Sequence, residues 1–273
     1  MTSWQQSFST ADLDHLRPYD AVLVPALFHP WATYLAGVLA PPPGSRALDI
    51  ACGPGTVTRV LATLIGPGGR VTGVDINPAM LDIATAKAAN GGAPTNYIQS
   101  AAAPLPDLPN AAVDLTCCQH GLQFFPDKPA AVAEWHRVTI PGGRVGVAIW
   151  SGLDRNPLFR ALHSAVDTIL GPAAAERFRT PWALEPSDAR GLLAGTGFTD
   201  IQHHTATLPI TFPAGPTDLH TVYHFSAVAA DIKALEPTER TALHDEILHG
   251  LQDSPAQGPL HGTTSAEIIT ATR

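Results

Sequence analysis

Between Leu48 and Asp75 the chain runs through an apolar strand, a glycine turn, an amphipathic helix and a second apolar strand, with a carboxylate on each strand. Arg46 to Ile50 is short and apolar with a polar boundary, the pattern of a buried parallel strand. In the turn Ala51-Cys52-Gly53-Pro54-Gly55, two residues without a Cβ permit a tight bend and a close approach of a ligand to the backbone. Val57, Val60, Leu61 and Leu64 then form an i, i+3, i+4, i+7 stripe, and Gly66-Pro67-Gly68-Gly69 stops the helix. Twenty residues past Gly55, Asp75 closes the second strand, the place where doubly wound folds put an acid for a ribose.

Two ligand classes compete for such a turn. The dinucleotide fingerprint needs glycine at the sixth position of Gly-x-Gly-x-x-Gly, and counting from Gly53 that position is Thr58. The same fingerprint seats a pyrophosphate on the helix N-terminus. Asp49, just before the turn, opposes an anion and attracts an ammonium group. The charge pattern favours S-adenosylmethionine, a sulfonium nucleoside with an amino acid tail.

Two further runs carry a family resemblance. Val113-Asp114-Leu115-Thr116-Cys117-Cys118-Gln119-His120-Gly121, within Asn110 to Asp127, resembles the fourth strand and following loop of class I S-adenosylmethionine-dependent methyltransferases. Glu134 to Val145, with Pro141-Gly142-Gly143 at its centre, resembles their helix, Pro-Gly-Gly turn and fifth strand. The likeness covers residues 45–150, and the subgroup is that of ubiquinone-type and bacterial secondary-metabolite enzymes.

The resemblance implies an α/β, doubly wound, Rossmann-like sheet of seven strands in the order 3-2-1-4-5-7-6, strand 7 antiparallel, plus a helical cap. It implies S-adenosylmethionine as cofactor and S-adenosylhomocysteine as product. Donor contacts fall on Asp49, Ala51, Gly53 and Gly55 for the amino acid tail and on Asp75 for the ribose. Ile76 and Met80 flank adenine, Ser100 and Ala101 follow the third strand, and Gln119 and His120 lie near the methyl group. Relatives usually carry an acid after the third strand to hold the adenine amino group. Here Gln99 and Ser100 stand instead, so a hydroxyl or a backbone carbonyl has to replace it.

With 273 residues, 45% of them hydrophobic and 15% charged, the chain reads as an ordered globular protein with a substantial core. A net charge of −8 and only three lysines argue against a nucleic-acid substrate, which demands a basic face. Cys52, Cys117 and Cys118 show neither a disulfide framework nor zinc spacing, which suits small buried residues in a reducing cytoplasm. Met1 to Gln6 lacks the basic region of a signal peptide, and no apolar run looks long enough to span a membrane. The expected partner is a small-molecule methyl acceptor, with no nucleic acid, no membrane and no metal; a homodimer stays open.

Four segments are expected: an N-terminal helical cap over residues 1–44, a donor-binding core over 45–150, a helical lid over 151–186, and completion of the sheet over 187–273 with a helical insertion at 217–252. Phe198 to Phe212 reads as the sixth strand and Thr264 to Thr272 as the seventh. Displacement from a sulfonium depends mainly on proximity and alignment, so a catalytic triad is unnecessary. His120, just past the fourth strand and with an ordinary pKa near 6.5, is the candidate base. Tyr19, Phe28, His29, His163, Trp182 and Tyr223 are the candidates for the acceptor site. His203-His204 reads as a surface-and-core pair, Trp135 as core, and Glu134 with Arg137 as a solvated i, i+3 pair. His220 and His224 have metal-ligand spacing but lack a third ligand. The acceptor atom stays open among oxygen, nitrogen and carbon. Two other functions stay open beside methyl transfer: a cyclase or rearrangement enzyme using the donor structurally, and a non-catalytic adenosyl-ligand binder. A dinucleotide oxidoreductase ranks last.

Overall fold

The computed structural model describes residues 11–87, 91–251 and 258–273; Met1 to Gln6, read above for a signal peptide, lie outside them. The sheet has seven strands in the order β3-β2-β1-β4-β5-β7-β6. These are β1 (Arg46–Ile50), β2 (Arg70–Asp75), β3 (Thr95–Gln99), β4 (Val113–Gln119), β5 (Thr139–Trp150), β6 (Thr199–Phe212) and β7 (Leu260–Thr272). Strands β1 to β5 pair in parallel, whereas β7 runs antiparallel between β5 and β6. The fold and strand order expected from the family resemblance are those of the molecule.

The central strands are buried on both faces, so their side chains feed two cores. One core joins Trp31, Leu35 and Leu39 with Leu61, Ile65 and Val71. The other joins Leu48, Ile50 and Val74 with Trp135, Val145 and Leu193. Trp135 is wholly buried there, as its spacing predicts.

Ahead of the sheet, α1 (Leu13–Pro18), a π-helical stretch (Tyr19–Phe28) and α2 (His29–Leu39) form one continuous rod. Pro25 lies in the π stretch and has no N–H for the ladder, and the His29 N–H reaches five residues back to the Val24 carbonyl. The expectation that no apolar run is long enough to span a membrane fails here, because Leu13–Leu39 is 27 residues long and sufficiently apolar. It packs on the protein, and Leu16, Trp31, Leu35 and Leu39 are fully enclosed in the core.

Within the sheet framework lie α3 (Thr56–Ile65), α4 (Pro78–Ala86) and α5 (Lys128–Val138). Asn77 caps α4 by accepting from the Ala79 N–H, and Asp127 caps α5 by accepting from that of Ala130. The Pro141-Gly142-Gly143 segment, read as a turn, instead belongs to β5. The pairing with β4 breaks register there, and the Gly142 N–H donates to the Arg273 carbonyl. After β5 come α6 (Pro157–Leu170), α7 (Pro172–Phe178) and α8 (Pro186–Gly195). Between β6 and β7 lie α9 (Leu219–His224), α10 (Ala229–Ala234) and α11 (Pro237–Gly250). Strand β7 begins at Leu260, four residues earlier than its sequence pattern predicts.

Candidate active site

The glycine turn is built from residues that accept left-handed backbone. Ala51, Gly53 and Gly55 have φ of 55°, 53° and 72°. A Cβ on Gly55 would sit 2.6 Å from the Tyr97 hydroxyl, so glycine is needed there on two counts. The Asp75 carboxylate closes the turn from the neighbouring strand. It accepts from the Gly53 N–H at 2.8 Å and from the Asn77 N–H at 2.9 Å. Each carboxylate oxygen keeps lone-pair capacity beyond these bonds. Burial raises the Asp75 pKa, opposed by the backbone N–H groups that stabilise its charge.

Asp49 is 1% exposed and accepts from the Thr58 hydroxyl at 2.7 Å and the Cys117 thiol at 3.7 Å. Burial nevertheless pushes its pKa up to about 7. Thr58, the residue that breaks the dinucleotide fingerprint, is thus the hydroxyl partner of the acid before the turn.

A cavity of about 830 Å³ opens over the carboxyl ends of the strands. Asp49, Ala51, Gly53, Asp75, Ile76 and Met80 line it, and so do Ser100, Ala101, Gln119 and His120. Gly55 does not; it shapes the turn from behind. Ile76 is 41% exposed, unusual for its size and explained by its place on the wall.

Of the acceptor candidates, Tyr19, Phe28 and Trp182 line the cavity and three do not. His29 is exposed at the start of α2. His163 packs behind Phe178, ring centroids 6.3 Å apart. Tyr223 turns its hydroxyl to His220 on its own helix. The metal-spaced pair also diverges: His220 stacks on His244, and His224 lies 3.3 Å from His15. Neither His203 nor His204 is core, since His203 meets Glu267 at 2.7 Å and His204 meets the Tyr34 hydroxyl at 3.0 Å.

The sequence reading missed most of the aromatic wall: Trp150, Phe159, Phe178 and Phe225. Phe159 touches both Trp150 and Trp182, with centroids 6.0 and 4.9 Å away, and Phe178 stacks on Trp182 at 5.4 Å. Trp150 was findable, because it ends β5 at the edge where ligands bind such sheets.

His120 differs from its expectation. Its ring is enclosed, 6% of the residue is exposed, and both ring nitrogens are buried without a hydrogen-bond partner among the described residues. Desolvation pushes its pKa down to about 3, far from the ordinary value. Beside it, Gln119 donates to the Phe28 carbonyl at 3.0 Å and ties β4 to the N-terminal rod.

The sequence profile described as a methyltransferase domain matches residues 48–147. Nocamycin O-methyltransferase from Saccharothrix syringae is 28% identical over 266 residues, covering 92% of this chain and 93% of its own. The ubiquinone/menaquinone biosynthesis C-methyltransferase of Stutzerimonas stutzeri is 31% identical over 178 residues, covering 60% of this chain and 69% of its own. This chain belongs to the S-adenosylmethionine-dependent methyltransferases. Further quinone-pathway methyltransferases match it over about half of their length. Two solved structures share the fold of this methyltransferase. The YcgJ protein of Bacillus subtilis is 18% identical with a TM-score of 0.56, covering 89% of this chain and 98% of its own. The cyclase SpnF is 17% identical with a TM-score of 0.53, covering 90% and 80%.

S-adenosylmethionine is the cofactor of this methyltransferase, and the residues present fit it. The cavity wall carries four carboxylates (Asp49, Asp75, Asp127 and Glu134) and, among the described residues, no lysine or arginine. Asp49 and Asp75 suit the ammonium and sulfonium charges of the donor and oppose a pyrophosphate, while Glu134 is paired with Arg137. Thr56 Oγ1 and Gln119 Oε1, both on wall residues, are buried without a partner among the described residues.

Proposed function

We propose that this methyltransferase acts on a small hydrophobic acceptor, of the secondary-metabolite kind, by direct methyl displacement. The observation that carries the reading is the continuity of one cavity from the Gly53 turn to the aromatic wall of Trp150, Phe159, Phe178 and Trp182. Aromatic carbons there exclude water and bind an apolar molecule. A relative matched over nearly its whole length is named for O-methylation of nocamycin, which supports oxygen as the acceptor atom.

When bound, the cofactor supplies a methyl group already activated on sulfur. The chain supplies position. Asp49 and the Gly53 backbone hold the amino acid tail and Asp75 the ribose. Ile76, Met80, Ser100 and Ala101 enclose adenine, and Gln119 and His120 border the methyl group. Proximity and alignment of this order lower a bimolecular barrier without a protein base. His120 is not that base in the present arrangement, since neither nitrogen is accessible. We place the enzyme in the cytoplasm.

The test is incubation with methyl-labelled S-adenosylmethionine and a panel of hydroxylated aromatic and polyketide compounds. Label transfer to a neutral, apolar member is expected. A second reading, cyclisation with the cofactor as a structural element, draws on SpnF and on Ser100 standing where relatives carry an acid. Substrate conversion without consumption of donor would establish it. Binding of NADH with no affinity for the sulfonium compound or its thioether product would remove both.

A further inference from the structure

The loop between β3 and β4 walls the base end of the cavity with Ala101, Ala102, Ala103 and Pro104. It contains no acid before Asp107 and no regular secondary structure. The N–H groups of Ala101, Ala102 and Ala103 donate to no protein atom among the described residues. Gln99, the other residue able to replace an acid, turns its amide to the Ile76 carbonyl at 3.4 Å. Apart from the Ser100 hydroxyl on the Pro104 carbonyl, the hydrogen bonds that fix this stretch come from outside it.

The outside contact is Arg137 on α5. All five guanidinium N–H groups are used. Nε and Nη2 grip the two oxygens of Glu134 at 2.7 and 2.8 Å, Nη2 also reaches the Leu105 carbonyl at 2.9 Å, and Nη1 reaches the Leu108 carbonyl at 2.8 Å and Asn110 Oδ1 at 2.9 Å. Glu134 returns the grip by accepting from the Leu105 N–H at 2.7 Å. Sequence spacing made these residues a solvated pair; both are half-buried, and their partners lie about thirty residues earlier in the chain. Leu105 itself is buried in the core beneath the loop. A rigid planar fork with five donors fits this set of acceptors, and a lysine does not.

We infer that Arg137, acting through Glu134, is a positioning residue that fixes the Ser100–Pro104 backbone as the reader of the adenine edge, in place of the acid this chain lacks. The inference rests on the donor site proposed above. A clamp on Leu105 and Leu108 sets where the preceding four residues point, and Ser100 is held at the other end by its N–H on the Asp75 carbonyl and its hydroxyl on that of Pro104. Asp75 thereby connects the ribose end and the base end of one ligand.

The test uses S-adenosylhomocysteine and S-inosylhomocysteine, which carries a carbonyl where adenine has its amino group, titrated calorimetrically into the full chain. The wild-type protein is expected to prefer the adenosyl compound by about tenfold or more, the value of one well-made hydrogen bond. Arg137→Lys is expected to weaken adenosyl binding by about tenfold while barely changing inosyl binding, so that the preference collapses. Free guanidinium added to Arg137→Gly restores part of it. A merely structural arginine would lower both affinities equally, and that result overturns the inference, as does a wild-type protein that does not discriminate. Should Arg137→Lys not fold, Asn110→Ala removes one exposed bond of the clamp and must shift the same ratio in the same direction, by about threefold. Failure of the wild-type protein to bind either compound would instead overturn the donor site itself.

Discussion

The imidazole of His120 lies flat on the indole of Trp150, with ring centroids 3.7 Å apart and 6° between the planes. Trp31 closes the imidazole edge-on at 6.0 Å, and Phe28 lies tilted at 6.3 Å. The box offers neither a counter-charge nor a hydrogen bond, so the ring stays neutral at every working pH. Trp150→Leu removes one face of the box. Its expected effect is to raise the His120 pKa from about 3 toward the ordinary imidazole range, read from the imidazole proton shifts in an NMR titration. A value that stays put would show that Trp150 is not what shields the ring.

Among the groups that make stability depend on pH, Asp49 and His120 pull in opposite directions. Asp49 titrates near 7 in the folded chain and near 3.9, approximately, when unfolded, so the folded state binds more protons between these values and loses stability as pH rises. His120 titrates near 3 when folded and at roughly 6.5 when unfolded, so its contribution falls as pH drops through that window. From about pH 4 to 6.5 the slopes oppose each other, each up to about 1.4 kcal/mol per pH unit. Urea unfolding of Asp49→Asn should show stability rising with pH across this range, and His120→Asn should show it falling. Two variants that both retain the wild-type profile would refute the pairing.

Donor binding should release protons. A methionyl ammonium beside Asp49 favours the carboxylate, so a group near half-protonated at pH 7 must ionise as the tail docks. Calorimetric titration of S-adenosylhomocysteine at pH 6.5 in buffers of different ionisation enthalpy should reveal this, and Asp49→Asn should abolish it. Heat independent of buffer in the wild-type protein would detach Asp49 from the tail.

Asp75→Ala should weaken donor binding by about 1.5–3 kcal/mol per bond lost. The variant also frees the Gly53 and Asn77 N–H groups, so a lower melting temperature is expected with it. Unchanged affinity in calorimetry would take Asp75 out of the site.

Legibility in the sequence followed locality. Asp49, Gly53 and Asp75 are readable because a tight turn between two short strands fixes their geometry within 27 residues. Met80 is readable from its place in the first turn of a capped helix. His29, His163 and Tyr223 were chosen for chemistry in segments that do border the cavity, but composition does not say which face of a helix turns inward. The Arg137 clamp was invisible for a different reason. An i, i+3 pair is generic, and its meaning here comes from loop carbonyls that no periodicity brings near it. The π-helical stretch is likewise silent, since a ladder slipped by one residue leaves no composition of its own.

Strand β7 lies between β5 and β6, yet it follows both in the chain, while α6 and α7, which bring Phe159 and Phe178 to the cavity, come after β5. On a ribosome the parallel half of the sheet, β1 to β5, emerges with every strand partner but β7. β6 has nothing to pair with until thirteen later residues slide into the gap beside it. The half of the enzyme that meets the invariant reagent can therefore assemble first, and the half that meets the variable one must wait for the final stitch.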